Sequence, residues 1–103
     1  MIISLALAAL APPDEPTPVV ATTYYRTFSH AHPVLKRIRP GETIATRTID
    51  SGGQDEKGVK RSEPFNPLTG PFSVEGAEPG DALVVHLKKV RLNRDWGWSA
   101  VTD

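Results

Sequence analysis

The side chains with chemistry to offer fall into a few short groups. His30 and His32 stand two residues apart in His-Ala-His-Pro, and in an extended segment residues at i and i+2 share a face. Two neutral imidazoles so placed can ligate a divalent metal. They can equally serve as a surface or hydrogen-bonding pair, and no third ligand stands at a diagnostic spacing. Asp50 closes an alternating run and directly precedes Ser51-Gly52-Gly53. A carboxylate beside flexible backbone can orient a water or bind a cation, or it can cap a turn. Glu75 sits in Val-Glu-Gly-Ala-Glu, where Gly76 permits close approach by a substrate or another backbone. Glu75 is therefore the first choice for a carboxylate facing a cleft, with Gly76 against the substrate. Glu78 and Asp81 flank a Pro-Gly pair and read as turn residues, Asp81 bonding to turn amides. His86 lies between apolar neighbours and reads as structural.

Strands and tight turns must position these groups. Alternation of apolar and polar residues predicts strands over 22–29, 34–38, 43–50, 72–74 and 82–92. A bulge near Lys88-Lys89 shifts the inward set of the last one from Leu83, Val85 and Leu87 to Val90 and Leu92. Glu78-Pro79-Gly80-Asp81 predicts a type II turn, with Pro setting φ at its second position and Gly supplying φ > 0 at its third. Arg39-Pro40-Gly41-Glu42 repeats the pattern, so Pro-Gly-acid opens a strand twice. The echo suggests two equivalent edges of one β-sandwich. Residues 51–66 form a polar loop of a length that is usually functional or disordered.

Composition bounds the rest. A chain of 103 residues allows one domain with a modest core. Twelve basic and twelve acidic residues cancel, which argues against nucleic acid or an anionic membrane as partner. Ten Pro and eight Gly favour a mainly β design, and any helix should be confined to the first eleven residues. The lack of Cys removes disulfides, thiolate catalysis and Cys-based zinc sites. Residues 1–11, MIISLALAALA, make an apolar run of signal-peptide size, too short to span a bilayer and without Lys or Arg at its start. Ala9-Leu10-Ala11 and Val19-Val20-Ala21 offer cleavage sites, and 12–18 is a Pro-rich extended spacer. The expected organisation is a signal peptide and spacer over 1–21 and a β domain over 22–103. Secretion or a periplasmic location is expected, with no membrane attachment in the mature form and the cytoplasm as the alternative.

Two long segments carry a resemblance. TGPFSVEGAEPGDALVV and TTYYRTFSHAHPVLKRIRPGETIATRTIDSGG resemble the amino-terminal part of the acetamidase/formamidase family, metal-associated hydrolases that release ammonia from small linear amides. The resemblance implies a small amide as substrate and a divalent metal, zinc or calcium, with ligands mostly outside these residues; homo-oligomerisation is left open. It matches His32 rather than His30, which makes His32 the metal-ligand candidate. It also places Asp50 in the family's Thr-Ile-Asp element, lining the active cleft beside Glu75 as the catalytic carboxylates. Family members run considerably longer, and Trp96 and Trp98 carry apolar area that needs a partner surface. The implied protein is thus the amino-terminal part of a larger enzyme, with little activity of its own. The competing expectation is a secreted β-sandwich binding module, which would present Trp96 and Trp98 on a flat face. A cupredoxin-like domain fails for want of a Cys ligand.

Overall fold

The computed structural model describes residues 15–101. Its regular elements are all strands: β1 (Thr17–Val19), β2 (Lys36–Ile38), β3 (Ile44–Thr46) and β4 (Phe72–Val74). They form two separate two-stranded sheets, β1 with β3 and β2 with β4. Both pairs are parallel, Thr17 facing Ile44 in one and Lys36 facing Phe72 in the other. A parallel pair cannot be closed by a hairpin, so long irregular segments connect the strands, and the candidate site lies in them. Hydrogen bonds beyond the ladders extend each pair. The Thr17 amide reaches the Thr43 carbonyl at 2.8 Å, and the Thr46 hydroxyl donates to the Val19 carbonyl at 3.0 Å. In the other sheet, Leu35 donates to Pro71 and Glu75 to Ile38, each at 2.8 Å. The core is small, with Val19 and Ala21 its buried apolar residues.

The mainly β expectation holds, and no described residue is helical. The helix allowed to the first eleven residues lies outside the described residues. Strand 72–74 falls where it was expected, while 34–38 and 43–50 shorten to β2 and β3. Three expectations are corrected. Residues 22–29 form no strand; they contribute one antiparallel bridge, Tyr25 to Leu68. The end of the Pro-rich stretch, expected to be a spacer, supplies β1 instead. Its Pro18 has no N–H to donate, which suits a strand paired on one side only. Residues 82–92 alternate as a strand should, yet they join no ladder. Alternation specifies which side chains share a face; it does not supply a neighbouring strand, and Leu83, Val84, Val90 and Leu92 stay exposed.

The two Pro-Gly turns form as the sequence demands. Gly41 and Gly80 take φ of +83° and +94°, values that an L-residue with a Cβ rarely adopts. Glu42 donates its amide to the Arg39 carbonyl and Asp81 to the Glu78 carbonyl, both at 3.0 Å. In each turn the acid then folds back on the first residue's amide. The Glu42 carboxylate accepts from Arg39 at 3.3 Å, and that of Asp81 accepts from Glu78 at 2.8 Å. The turns are equivalent, but the segments they open are not. One leads into β3 and the other into the unpaired residues 82–92.

Candidate functional site

Asp50 is the node of the site. It lies four residues past the end of β3, and its carboxylate collects four donors. The Gly52 and Gln54 amides reach Oδ1 at 3.0 and 2.8 Å. The Arg94 guanidinium and the Trp98 indole N–H reach Oδ2, each at 3.2 Å. Two oxygens offer about four lone-pair positions, so the acceptor capacity of Asp50 is filled. Its side chain is 12% exposed and that of Arg94 15%. Burial alone pushes the Asp50 carboxyl upward; the bonds from Gln54, Trp98 and Arg94 outweigh it and hold the group below its ordinary value. A carboxylate so held stays ionised at neutral pH and cannot act as a proton donor there. The arrangement supports a positioning role.

What Asp50 positions is a second segment distant in sequence. Arg94 donates from Nε to the Trp96 carbonyl at 3.1 Å, and its guanidinium carbon stands 3.9 Å from the Trp96 ring centroid, within cation–π range. The Trp98 ring lies on Gly52, where an added Cβ would come within 3.1 Å of it. Gly52 is thus small because the indole occupies the space a side chain would need. The tryptophans find their cover on the Asp50 loop and on Arg94, and each stays about half exposed. Between the two segments lies a cleft of about 250 Å³ bordered by Thr48, Gln54, Asp55, Asn93, Arg94 and Trp96. Trp96 and Trp98 were legible only as apolar surface in need of cover, and Arg94 was not singled out. Their i, i+2, i+4 spacing does put them on one face of an extended segment, which is the signal that could have grouped them.

The loop behind this cleft is ordered by a second aspartate. Asp55, 8% exposed, accepts from the Lys57 and Val59 amides, each at 2.9 Å, and from Arg61 Nε at 2.8 Å. The Arg61 bond, foremost, and the Val59 amide hold its carboxyl below the ordinary value. Gly53, at φ +91°, accepts from the Arg61 and Ser62 amides on its carbonyl. Side-chain-to-backbone bonds of this kind stand in for a ladder in irregular segments. The sequence marked 51–66 as a loop; the anchoring by Asp55, Arg61 and Gly53 was not visible in it.

The other expected site residues lie elsewhere. Glu75 and Gly76 follow β4 in an exposed turn, Gly76 at φ +79°. Glu75 borders a polar cleft with Thr17, Lys36, Arg37, Arg39 and Glu42. Thr17 and Glu42 flank the starts of β1 and β3, whereas Asp50 lies past the end of β3. The structure therefore gives Asp50 and Glu75 separate clefts. His32 stacks on Tyr25 with ring centroids 4.0 Å apart and places Nε2 2.9 Å from the Thr27 carbonyl. The same Nε2 stands 3.1 Å from the Thr27 hydroxyl, so the ring is tied to residue 27 of its own loop. Among the described residues no three His, Asp or Glu side chains gather as a metal site. No chemistry is assigned to these residues through a metal.

The described residues thus form a mainly β chain with a small polar cleft, built by an aspartate-anchored loop and an Arg-Trp segment. Residues 20–103 match the Acetamidase/Formamidase family, and the chain belongs to that family. It is similar to a formamidase-named protein of Schizosaccharomyces pombe, with 38% identity over 80 residues covering 67% of this chain and 19% of that protein. It is also similar to the formamidase of Methylophilus methylotrophus, with 32% identity over 80 residues and the same shares of the two chains. The chain thus spans about a fifth of the length of these relatives. No solved structure matches it.

Proposed function

We propose that this chain forms part of an amidohydrolase that cleaves the carbon–nitrogen bond of small linear amides, of the formamide and acetamide type, and releases ammonia. The observation that carries the reading is the family match across residues 20–103. Amide hydrolysis needs an activated water, a polarised carbonyl and a proton for the departing amine. Asp50, ionised and fully bonded, supports this chemistry by fixing Arg94 and the 51–54 loop around the cleft. Glu75 is a proposed catalytic carboxylate: it is exposed, and Gly76 beside it leaves room for a substrate or for backbone from elsewhere in the protein. Its separation from Asp50 means that residues 15–101 do not bring both carboxylates to one amide. Completion of the two small sheets into a sandwich, a metal centre, and export directed by the apolar start belong to the same reading and rest on the sequence alone.

The test is ammonia release from formamide and acetamide by a protein carrying this chain at the length of its relatives, with and without chelator. Turnover of both amides supports the reading. No ammonia from either, in a folded protein, contradicts it.

A further inference from the structure

We infer that the cleft between residues 48–56 and 92–97 is a subsite for a small neutral amide, one that discriminates against the carboxylate formed from it; the inference rests on the hydrolase reading. Size is the first argument. At about 250 Å³ the cleft falls below the roughly 300–1,000 Å³ of sites for drug-sized ligands, so it suits a ligand of a few heavy atoms. Charge is the second. Each acid on its border has its own arginine: Asp50 with Arg94 at 3.2 Å, Asp55 with Arg61 at 2.8 Å, Glu56 with Arg47 at 3.2 Å. The lining is compensated pair by pair. It offers a carboxylate ligand no free positive charge, and entry of an anion would set it against three acids already in place. Hydrogen-bonding character is the third. An amide needs a donor for its oxygen and acceptors for its N–H groups. Arg94 donates Nε and Nη1 to Trp96 and Asp50, and no bond among the described residues takes Nη2. Gln54 and Asn93 bring side-chain amides, each with a carbonyl acceptor. The Trp96 ring, under the Arg94 guanidinium, adds a flat apolar wall for a methyl group.

Arg94 is thereby a specificity-determining residue: its fork is held by Asp50 and the Trp96 carbonyl, which leaves Nη2 as the donor for the ligand oxygen. The test is a titration of the full chain with acetamide and, separately, with acetate, followed by NMR of the tryptophan indole and arginine side-chain N–H signals. Acetamide is expected to move the Trp96 and Arg94 signals along a saturable course, with acetate at least about tenfold weaker, a difference of about 1.4 kcal/mol. Arg94→Lys keeps a cation opposite Asp50 but removes the fork, and is expected to weaken acetamide roughly tenfold or more, as for one charge-assisted hydrogen bond lost. Acetate binding as well as acetamide, or acetamide leaving Trp96 unmoved, overturns the subsite. Should Arg94→Lys fail to fold, the comparison of the two ligands on the unaltered chain still decides. Ammonia release at relatives' length is measured in parallel. Binding without release counts against the hydrolase reading and leaves the subsite; release with Trp96 unmoved removes the subsite and leaves the hydrolase reading.

Discussion

Asp50 joins residues 52 and 54 to residues 94 and 98 through one carboxylate. Its role is open to titration. The carboxyl is held below the ordinary 3.8, so its contribution to stability is complete above that value and is lost as pH falls through the lower, folded-state value. Asp55 is displaced in the same direction and adds to the same acid limb. Asp50→Asn is expected to flatten part of the limb below about pH 4 and to loosen the Trp98 indole; unfolding followed by tryptophan fluorescence across that range checks it, and an unchanged acid profile would show that Asp50 anchors nothing. A second contrast separates two glycines. At Gly41 an added Cβ meets open space, so Gly41→Ala is expected to cost about 1 kcal/mol, from φ alone. At Gly53 the Cβ would collide with the Ser62 carbonyl oxygen as well, and Gly53→Ala is expected to cost about 3 kcal/mol or more. Equal midpoints in urea for the two variants would contradict this packing of the loop. Asp50 was legible as a candidate because it ends a run beside two glycines. Arg94 and Trp98 were not, because a bond spanning 44 or 48 residues leaves no trace in local spacing.

The Pro-Gly turns are the best-read elements, since their backbone requirement falls on the very residues that supply it. Strand extents were read less well. Residues 22–29 and 82–92 have the alternation of strands, but a ladder depends on what lies alongside, and that is settled by distant chain. In 82–92 the side-chain bond from Lys88 to the Thr43 hydroxyl, at 2.9 Å, is the tie to the body that the structure gives. The backbone amides of this segment donate to no other backbone group among the described residues. They are therefore expected to exchange with solvent at nearly the unprotected rate in the 103-residue chain, while amides of β3 and β4 exchange more slowly. Hydrogen exchange read by NMR checks this, and protection of 82–92 equal to that of β4 would mean the segment is paired in solution. Gly80→Ala belongs at this scale too. It is expected to strain the turn by about 1 kcal/mol, yet to shift global unfolding less than Gly41→Ala does, because the turn at Gly41 feeds a paired strand and the turn at Gly80 does not.

For the whole molecule, composition gave a mainly β chain and the long Pro/Gly-punctuated segments gave the family, while the positions of the clefts had to come from the structure. Asp50 and Glu75 both looked like acids at the edge of a cleft; three-dimensional placement divides them between two. Glu75→Gln, at an exposed turn, should change stability by less than about 0.5 kcal/mol, so that lowered ammonia release in the longer protein reports on chemistry and unchanged release removes Glu75 from it. The central proposal is that these residues contribute a cleft to an amide hydrolase without being sufficient for its reaction. An amide is too inert for positioning alone; water activation and carbonyl polarisation must act together, and the described residues gather neither a metal site nor Asp50 with Glu75. The most direct measurement is ammonia release from formamide and acetamide by the 103-residue chain and by a protein of the relatives' length, assayed side by side. The account predicts release by the longer protein and none above background by the chain alone. Sustained turnover by the 103 residues would contradict it.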